Sequence, residues 1–237
     1  MKPAHVEVRC VDSLRMVETG VPAVPPDELR ALNKFWDKAV QANPYLFDGP
    51  SVVCAKVVWP TRRTVEISWA RATYRRNALR FVPEATTWLP SLFVCTAQPT
   101  DCGGLVVGRM ASHTASPGQW QLPGGSVEPP PQNDVLNTSA LQRHAAQEMA
   151  EETGTAVTPD ELHLKLFTRR ANGSIGILFL APALSRDVLL EQFAAHTSAQ
   201  QEPEFDRIAI VHTPDDLEQL DGPRVDYLDQ IVRDPLQ

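Results

Sequence analysis

The sequence predicts a mixed α/β sandwich with a smaller, β-rich part at its N-terminal end. Three observations carry this prediction. Short apolar segments typical of strands outnumber helical patterns, the helices lack the regular alternation with strands of a parallel α/β fold, and 21 of the 237 residues are proline. Abundant proline favours many short elements over long bundled helices. A proline-rich join, FVPEATTWLP (81–90), separates two predicted domains, residues 1–85 and 86–237.

The N-terminal part combines one helix with two strands. The segment DELRALNKFWDKAVQANP (27–44) carries apolar side chains at helical spacing and ends at an Asn-Pro pair. The segments SVVCAKVVW (51–59) and TVEISWA (64–70) then predict strands joined as a hairpin by PTRR.

The C-terminal part contains strand patterns with helices between them. Its predicted strands are 91–98 and 103–110, placed around a turn, then 120–125, 162–170, 174–181 and 207–213. Its predicted helices are 138–153, 187–197 and 225–233. Gly154 follows the first of these helices, where glycine commonly takes the left-handed conformation that ends a helix.

Composition and charge exclude several classes of protein. The net charge is −7 and no block of Lys or Arg occurs, which disfavours nucleic-acid binding. No apolar run reaches the roughly 18 residues of a membrane span, and MKPAHVEVRC (1–10) lacks the apolar core of a signal peptide. The four cysteines are scattered without a C-x-x-C pair, which disfavours disulfides and zinc. We therefore expect a cytoplasmic protein that binds neither nucleic acid nor membrane.

Negative charge is concentrated at the end of the predicted helix 138–153. Within HAAQEMAEETG, Glu148, Glu151 and Glu152 are spaced so that a helix places them together on an exposed face. Like charges at this spacing repel, and the helix dipole disfavours acids at this end. A divalent cation such as Mg²⁺, or Mn²⁺ in its place, would relieve both conflicts. The alternative interpretation is a solvated acidic helix end.

A glycine pair precedes this helix in QLPGGSVEP (121–129). Gly124 and Gly125 permit backbone geometry that other residues disfavour, and they expose carbonyl and N–H groups to a ligand.

Together, and in this order, the glycine pair and the acidic helix resemble the box of the Nudix hydrolases, G-x5-E-x7-R-E-U-x-E-E-x-G-U, where U is apolar. The matching positions are Gly125, Glu148, Met149, Glu151, Glu152 and Gly154. The box arginine is Gln147 here, the earlier box glutamate is Ser139, and eight extra residues separate Gly125 from Gln147. The resemblance spans about residues 88–237. It implies a Nudix-type α/β/α sandwich that hydrolyses the pyrophosphate bond of a nucleoside diphosphate derivative.

The resemblance also implies roles for individual residues. The implied Mg²⁺ ligands are the Gly125 carbonyl, Glu148, Glu151 and Glu152. The catalytic base stays open between the box glutamates and an acid on a distant loop, so the candidates are Glu148, Glu152, Glu202 and Glu204. Guanidinium groups match phosphates and aromatic rings stack on bases, and the predicted substrate contacts are Arg109, Arg169, Phe47, Tyr74 and Gly124. A surface role is at least as common for each of these arginines and for Arg170 and His144, and core packing is the commoner role for Phe47, Tyr74 and Trp120. A solvated loop is the open alternative for Glu202 and Glu204.

A narrower likeness concerns the N-terminal part. ANPYLFDGP (42–50), the hairpin after it and RATYRRNALR (71–80) are similar to the animal Nudix branch that hydrolyses UDP-glucose and UDP-galactose. This likeness implies a small-molecule nucleotide sugar as substrate, with UMP and a sugar 1-phosphate as products, and a homodimer stays open. Two alternatives remain: a Nudix-fold module that binds a nucleotide without cleaving it, and an enzyme acting on ADP-ribose, coenzyme A or a biosynthetic nucleotide conjugate.

The extra residues form EPPPQNDVLNTS (128–139). Consecutive prolines followed by Gln-Asn-Asp disfavour helix and central strand. Because this loop joins the glycine pair to the acidic helix, we expect it to form a flap or rim over the substrate.

Overall fold

The computed structural model of the chain describes residues 6–233. Residues 1–5 and 234–237, at the outer ends of the two predicted domains, lie outside the described residues. The strands are β1 (Glu7–Cys10), β2 (Ser13–Glu18), β3 (Pro50–Val58), β4 (Thr64–Thr73), β5 (Leu92–Ala97), β6 (Leu105–Met110), β7 (Trp120–Gln121), β8 (His163–Arg169), β9 (Ile175–Leu180) and β10 (Phe205–Val211). The α-helices are α1 (Pro26–Ala42), α2 (Thr138–Thr153), α3 (Arg186–Ala199), α4 (Pro214–Glu218) and α5 (Leu228–Arg233). Short 3₁₀ helices span Tyr74–Phe81 and Pro159–Glu161.

A four-stranded mixed sheet of order β1-β8-β9-β5 lies at the centre of the molecule. Strand β5 runs parallel to β9, while β8 is antiparallel to both of its neighbours. Alternate residues of a strand point to opposite faces, so Leu92 and Val94 pack beneath α2, whereas Cys95 and Ala97 pack on the other side. The second face is covered by the β10-β6-β7 sheet and by α4 and α5. The predicted mixed-sheet sandwich with helices on both faces is therefore confirmed.

The N-terminal part forms a third sheet of order β2-β4-β3. The predicted hairpin of β3 and β4 is confirmed as an antiparallel pair, and β2 adds to β4 in parallel. Apolar residues of this sheet, among them Val52, Ile67 and Trp69, share one hydrophobic cluster with Leu92 and Val94 of the central sheet. A smaller cluster holds α1 against the 3₁₀ helix Tyr74–Phe81. The boundary near residue 85 stays a prediction, and apolar packing crosses it.

Several elements were not predicted from the sequence. Strand β1 lies in the N-terminal part, yet it pairs with β8 of the central sheet, with Glu7 opposite Arg169. The sequence analysis also omitted β2, α4 and the 3₁₀ helix Tyr74–Phe81. Strands β1 and β2 are short, and they depend on pairing with residues distant in sequence. Helix α4 has only five residues, too few to show an apolar period.

Strands β5 and β6 are not partners across a turn, contrary to the simplest interpretation of their spacing. Strand β5 pairs with β9, whereas β6 pairs with β10 and β7. After β5, pairing between the two segments is limited to a bridge between Pro99 and Leu105. Proline has no N–H to continue a ladder, and Gly103 and Gly104, both at positive φ, direct the chain into the second sheet. Within residues 6–233, no helix combines the length and apolar character needed to cross a bilayer.

Candidate functional site

A cavity of about 710 Å³ lies between α2, the glycine turn and the N-terminal part. This volume is in the range of small-molecule sites. One side, here called the acidic wall, carries Glu148, Glu152 and Glu204 beside the glycine pair. A second part of the lining, here called the aromatic wall, comes from the N-terminal part and carries Trp36, Tyr45, Phe47, Tyr74 and Phe81.

The floor between the walls is buried and mostly apolar. Phe93 of β5 stacks on Tyr227, with 6.0 Å between ring centroids, and the Cys95 Sγ lies 3.4 Å from the Tyr227 hydroxyl. Burial raises the pKa of Cys95 to about 12, so this thiol is not a nucleophile at neutral pH. Trp120 is buried away from the cavity, and its Nε1–H donates to the Asp221 carbonyl at 2.8 Å. Its core role is therefore confirmed.

Helix α2 positions the acidic wall. The Asn137 side chain caps its first turn by accepting a hydrogen bond from the Ala140 amide at 2.9 Å. Gly154 ends the helix at φ 73°, as predicted. The inner face of the helix packs on the rest of the fold, with Leu141 and Met149 fully buried.

Glu152 is buried, with 2% of its surface exposed, whereas the sequence predicted an exposed position. The prediction was wrong because β5 and the glycine turn cover the last turn of α2. The Gly124 N–H donates to Glu152 Oε2 at 2.6 Å. Burial, and then the negative charge of Glu148, raise the Glu152 pKa well above its ordinary value.

Glu148 lies directly over the backbone of Gly125. A Cβ on Gly125 would displace the Glu148 carboxylate from its present position. Position 124 needs glycine, because the φ of Gly124 is 152° and a Cβ would collide with the Val94 carbonyl. His144, four residues before Glu148, places Nε2 at 2.8 Å from Glu148 Oε1, so the structure gives this histidine a partner at the site.

Glu151 is exposed at the edge of the acidic wall. The Gln147 amide donates to Glu151 Oε1 at 2.8 Å. Gln147 occupies the arginine position of the box, and a neutral amide bond here takes the place of an ion pair. Glu151 is still close enough to contribute to the raised pKa of Glu204.

The structure separates the two loop candidates for the base. Glu204 lines the cavity from the segment leading into β10, whereas Glu202 lies outside the cavity lining; both residues are exposed. Burial, followed by the charges of Glu148 and Glu151, raises the Glu204 pKa. The Glu204 backbone is held by a 2.7 Å hydrogen bond from the Ala111 amide to its carbonyl.

The acidic wall has the chemistry of a divalent-cation site, although its carboxylates are not gathered around one point. Among the residues that the structure describes, no three His, Cys, Asp or Glu side chains converge as a metal would require. Each box acid instead has a protein partner: the Gly124 amide for Glu152, His144 for Glu148 and Gln147 for Glu151. A buried carboxylate among like charges is nevertheless an oxygen donor set suited to Mg²⁺. The oxygen chemistry of these acids therefore suits the ion, while their side chains do not surround one point in the described residues.

The predicted carbonyl ligand at Gly125 is partly engaged. Its oxygen accepts a hydrogen bond from the Val94 amide at 3.0 Å. A carbonyl oxygen has two lone pairs, so one remains for a ligand.

Two predicted substrate contacts lie elsewhere. The Arg109 guanidinium binds Asp206 through two hydrogen bonds of 2.8 and 2.9 Å and Asp221 through one of 2.8 Å. Arg169 lies beside Glu7 of β1, with 3.6 Å between Nε and Oε2. Neither arginine lines the cavity. The predictions for Arg109 and Arg169 are corrected, because nearby carboxylates on paired strands hold both side chains outside the site.

Phe47, Tyr74 and Gly124 do line the cavity, and the structure adds residues that the sequence analysis missed or ranked low. Arg170, one residue beyond the predicted arginine, lines it, and its Nε donates to Asp226 Oδ1 at 3.1 Å. Asn77 and Arg80 line it from the 3₁₀ helix. Tyr74, Asn77 and Arg80 are spaced by three residues. This spacing indicates a shared side only if the segment is a 3₁₀ helix, which has three residues per turn.

The loop 128–139 is not a flap. None of its residues lines the cavity. Arg71 holds it by donating to the carbonyls of Pro130 and Pro131, and Leu136 is buried in the main hydrophobic cluster. The prediction of a substrate rim is therefore wrong, because these contacts hold the loop against the N-terminal sheet.

Comparison with known proteins gives a limited result. No family model matches the chain, and no curated protein matches it. Among solved structures, the chain is similar to the MutT protein of Methanosarcina mazei Go1 (19% identity, 56% of this chain and 85% of that chain, TM-score 0.37). It is also similar to NrtR of Shewanella oneidensis (17%, 60% and 60%, TM-score 0.36) and to a NUDIX hydrolase from Nitrosomonas europaea (14%, 55% and 77%, TM-score 0.32).

Proposed function

We propose that this protein is a Nudix-type pyrophosphatase that hydrolyses a nucleoside diphosphate derivative with Mg²⁺. The observation that carries the proposal is the meeting of Glu148, Glu152 and Glu204 on one wall of a ligand-sized cavity. Glu204 is distant in sequence from the two box acids, so the fold itself assembles the acidic wall. A helix end that was merely solvated would not bury Glu152.

Each residue has a distinct part in the proposed reaction. Glu148, Glu151, Glu152 and the free lone pair on the Gly125 carbonyl would hold Mg²⁺. When bound, the ion would lower the pKa of a bound water and offset charge on the bridging phosphate oxygens.

Glu204 is the proposed base. Water attacks a phosphorus of the pyrophosphate, its proton passes to the Glu204 carboxylate, and the bond to the bridging oxygen breaks, so that a phosphate leaves. A raised pKa makes a carboxylate a better acceptor near neutral pH. The Gly124 amide keeps Glu152 oriented by its hydrogen bond of 2.6 Å.

A nucleotide sugar, with UDP-glucose as the example, is the proposed substrate. The aromatic wall supports a nucleotide, since Phe47 is 76% exposed beside Tyr74 and offers a free ring face for a base. The UDP-glucose assignment rests on the sequence likeness of residues 42–50 and 71–80, and these segments contribute Tyr45, Phe47 and Tyr74 to the cavity.

The test is turnover of a substrate panel with identification of both products. UDP-glucose, UDP-galactose, ADP-ribose and coenzyme A would each be incubated with Mg²⁺, and separately with Mn²⁺. We expect UMP and a sugar 1-phosphate from the UDP-sugars. Reaction in ¹⁸O-labelled water would identify the attacked phosphorus. Absence of turnover with every compound and both metal ions would overturn the proposal.

A second candidate is a nucleotide-binding module without hydrolytic activity. The observation in its favour is that each box acid is already bound by a protein group, through Gly124, His144 or Gln147. Binding of UDP-glucose by calorimetry in the presence of Mg²⁺, without any product over hours, would favour this module over the enzyme.

A further inference from the structure

One side of the 3₁₀ helix Tyr74–Phe81 faces the cavity. A 3₁₀ helix has three residues per turn, so side chains three positions apart lie above one another. Tyr74, Asn77 and Arg80 have this spacing, and all three line the cavity. We call this row the 3₁₀ ridge. It presents an aromatic ring, an amide and a guanidinium in sequence along one line.

Asn77 has a polar atom without a partner. The residue is 8% exposed, and its Oδ1 makes no hydrogen bond with any residue in the range 6–233. Buried side-chain oxygens are satisfied in the large majority of cases. Because Asn77 borders the cavity, a ligand N–H or O–H can supply the missing donor.

Arg80 has an unbalanced charge. Across the described part of the chain it forms no ion pair with a carboxylate, and its guanidinium lies 4.5 Å from the centre of the Phe81 ring. Arg170 lines the same cavity and is held by Asp226, whose second oxygen accepts a 2.7 Å hydrogen bond from the Ala171 amide. Two guanidinium groups thus line one cavity, and only one of them, Arg170, is paired with a carboxylate. The remaining positive charge favours an anionic ligand.

We infer that the 3₁₀ ridge, together with Arg170, is a subsite for a nucleoside phosphate. Arg80 and Arg170 bind phosphate oxygens, and Asn77 Oδ1 accepts a hydrogen bond from the base or ribose attached to that phosphate. The inference rests on the proposed function for the class of ligand, and it adds the residues that recognise the end of the ligand away from the acidic wall.

Cys95 and Tyr227 line the same cavity as the subsite and the acidic wall. The charges of Glu152, Glu148 and Arg170 all act on the Cys95 thiol. A ligand with a phosphate at the guanidiniums can therefore reach the acids within one cavity. Groups of opposite charge in one cavity also favour one direction of nucleotide binding.

The test is calorimetric binding in EDTA, where no hydrolysis takes place, with UDP and with inorganic pyrophosphate as separate probes. Arg80→Gln should weaken the binding of both probes by roughly tenfold, because both carry phosphate. Asn77→Leu should weaken the binding of UDP by roughly tenfold. It should leave the binding of pyrophosphate unchanged, since pyrophosphate has no base or ribose. Arg62→Gln, an exposed arginine in the turn between β3 and β4, removes the same charge away from the cavity and should change neither.

Unchanged binding of UDP in both Arg80→Gln and Asn77→Leu would overturn the inference. Arg80 is exposed, so its variant tests the subsite even if Asn77→Leu lowers the melting temperature. Failure of the proposed function gives a different result, namely UDP binding that depends on the ridge without turnover of the substrate panel. Conversely, hydrolysis with KM unchanged in both variants would support the proposed function and refute the role of the 3₁₀ ridge in ligand binding.

Discussion

The acidic wall and the aromatic wall line one cavity, but they are held in different ways. Helix α2 belongs to the main hydrophobic cluster through Leu141 and Ala145 and ends in a buried, hydrogen-bonded Glu152. The aromatic wall stands on a separate small cluster around Leu79, and its Phe47 is 76% exposed.

This difference indicates that the acidic wall suits catalysis and the aromatic wall suits ligand recognition. Groups that act on reacting atoms need fixed positions, which packing and hydrogen bonds provide. Groups that recognise a ligand can stay exposed, because an exposed ring gains contact area when the ligand arrives. We therefore expect changes in the acidic wall to reduce kcat and changes in the aromatic wall to raise KM.

The largest effect is expected from Glu148→Gln and from Glu152→Gln. Each removes a proposed ligand of Mg²⁺ while keeping the shape of the side chain, so kcat with UDP-glucose should fall at least about 100-fold. Glu191→Gln, an exposed position on α3, is the matched control and should retain full activity. Near-wild-type kcat in both box variants at saturating Mg²⁺ would remove the acidic wall from the mechanism.

Glu152 should also make the metal-free protein less stable as pH rises. In the unfolded chain its pKa is about 4.5, and burial raises the pKa in the fold. Between these two values the folded state holds a proton that the unfolded state has lost, so the free energy of unfolding falls as pH increases through that window. Thermal unfolding in EDTA from about pH 5 to about pH 8 should show this decline. A Glu152→Gln variant with the same pH dependence would contradict it.

Glu204→Gln should lower kcat by about 100-fold with little change in KM, because a base acts in the transition state. Glu202→Gln should remain close to wild type, since Glu202 lies outside the cavity lining. Steady-state kinetics of the two variants across pH separates them. Equal, mild effects from both would return the role of base to the box glutamates.

On the aromatic wall, Phe47→Ala should raise KM for UDP-glucose by roughly tenfold and leave kcat unchanged, because stacking on a base is worth about 1–3 kcal/mol. Val135→Ala is the control: this side chain is 69% exposed on the loop 128–139, outside the cavity. A fall in kcat with constant KM for Phe47→Ala would break the division of tasks between the walls.

The smallest effect is expected from deleting residues 129–134, which keeps Leu136 and the Asn137 cap. The segment lies outside the cavity lining, so KM across UDP-glucose, UDP-galactose and ADP-ribose should change less than about twofold. Loss of the Arg71 contacts with Pro130 and Pro131 should lower the melting temperature slightly. A marked change in selectivity would restore the loop as a rim of the site.

Much of the acidic wall was predictable because its information is local. The spacing of Glu148, Glu151 and Glu152 places them on neighbouring positions of one helix, and the conflict among their charges points to a ligand. The end of α2 at Gly154 was predictable for the same reason, since few residues other than glycine take a left-handed conformation at low cost.

The burial of Glu152 could not be predicted from local sequence spacing. Neither could the choice between Glu202 and Glu204 as the residue at the cavity. These loop acids are two positions apart and both exposed, but only Glu204 lines the cavity. The direction of each side chain depends on how this segment enters β10, where the Glu204 carbonyl accepts a hydrogen bond from the Ala111 amide. Such a contact joins positions far apart in the chain, and no local pattern encodes it.

The sequence by itself determined the fold class and the acidic helix with its glycine turn, and it offered Phe47 and Tyr74 as candidates whose place at the cavity the fold decided. Only the tertiary structure decided that Arg170 rather than Arg169 lines the cavity, that Arg109 is held by Asp206 and Asp221, and that the proline-rich loop lies outside the site. The physical reason is that periodicity and charge spacing act between near neighbours. The direction of a side chain at a strand end depends instead on which strands pair, and that is settled by packing across the whole chain.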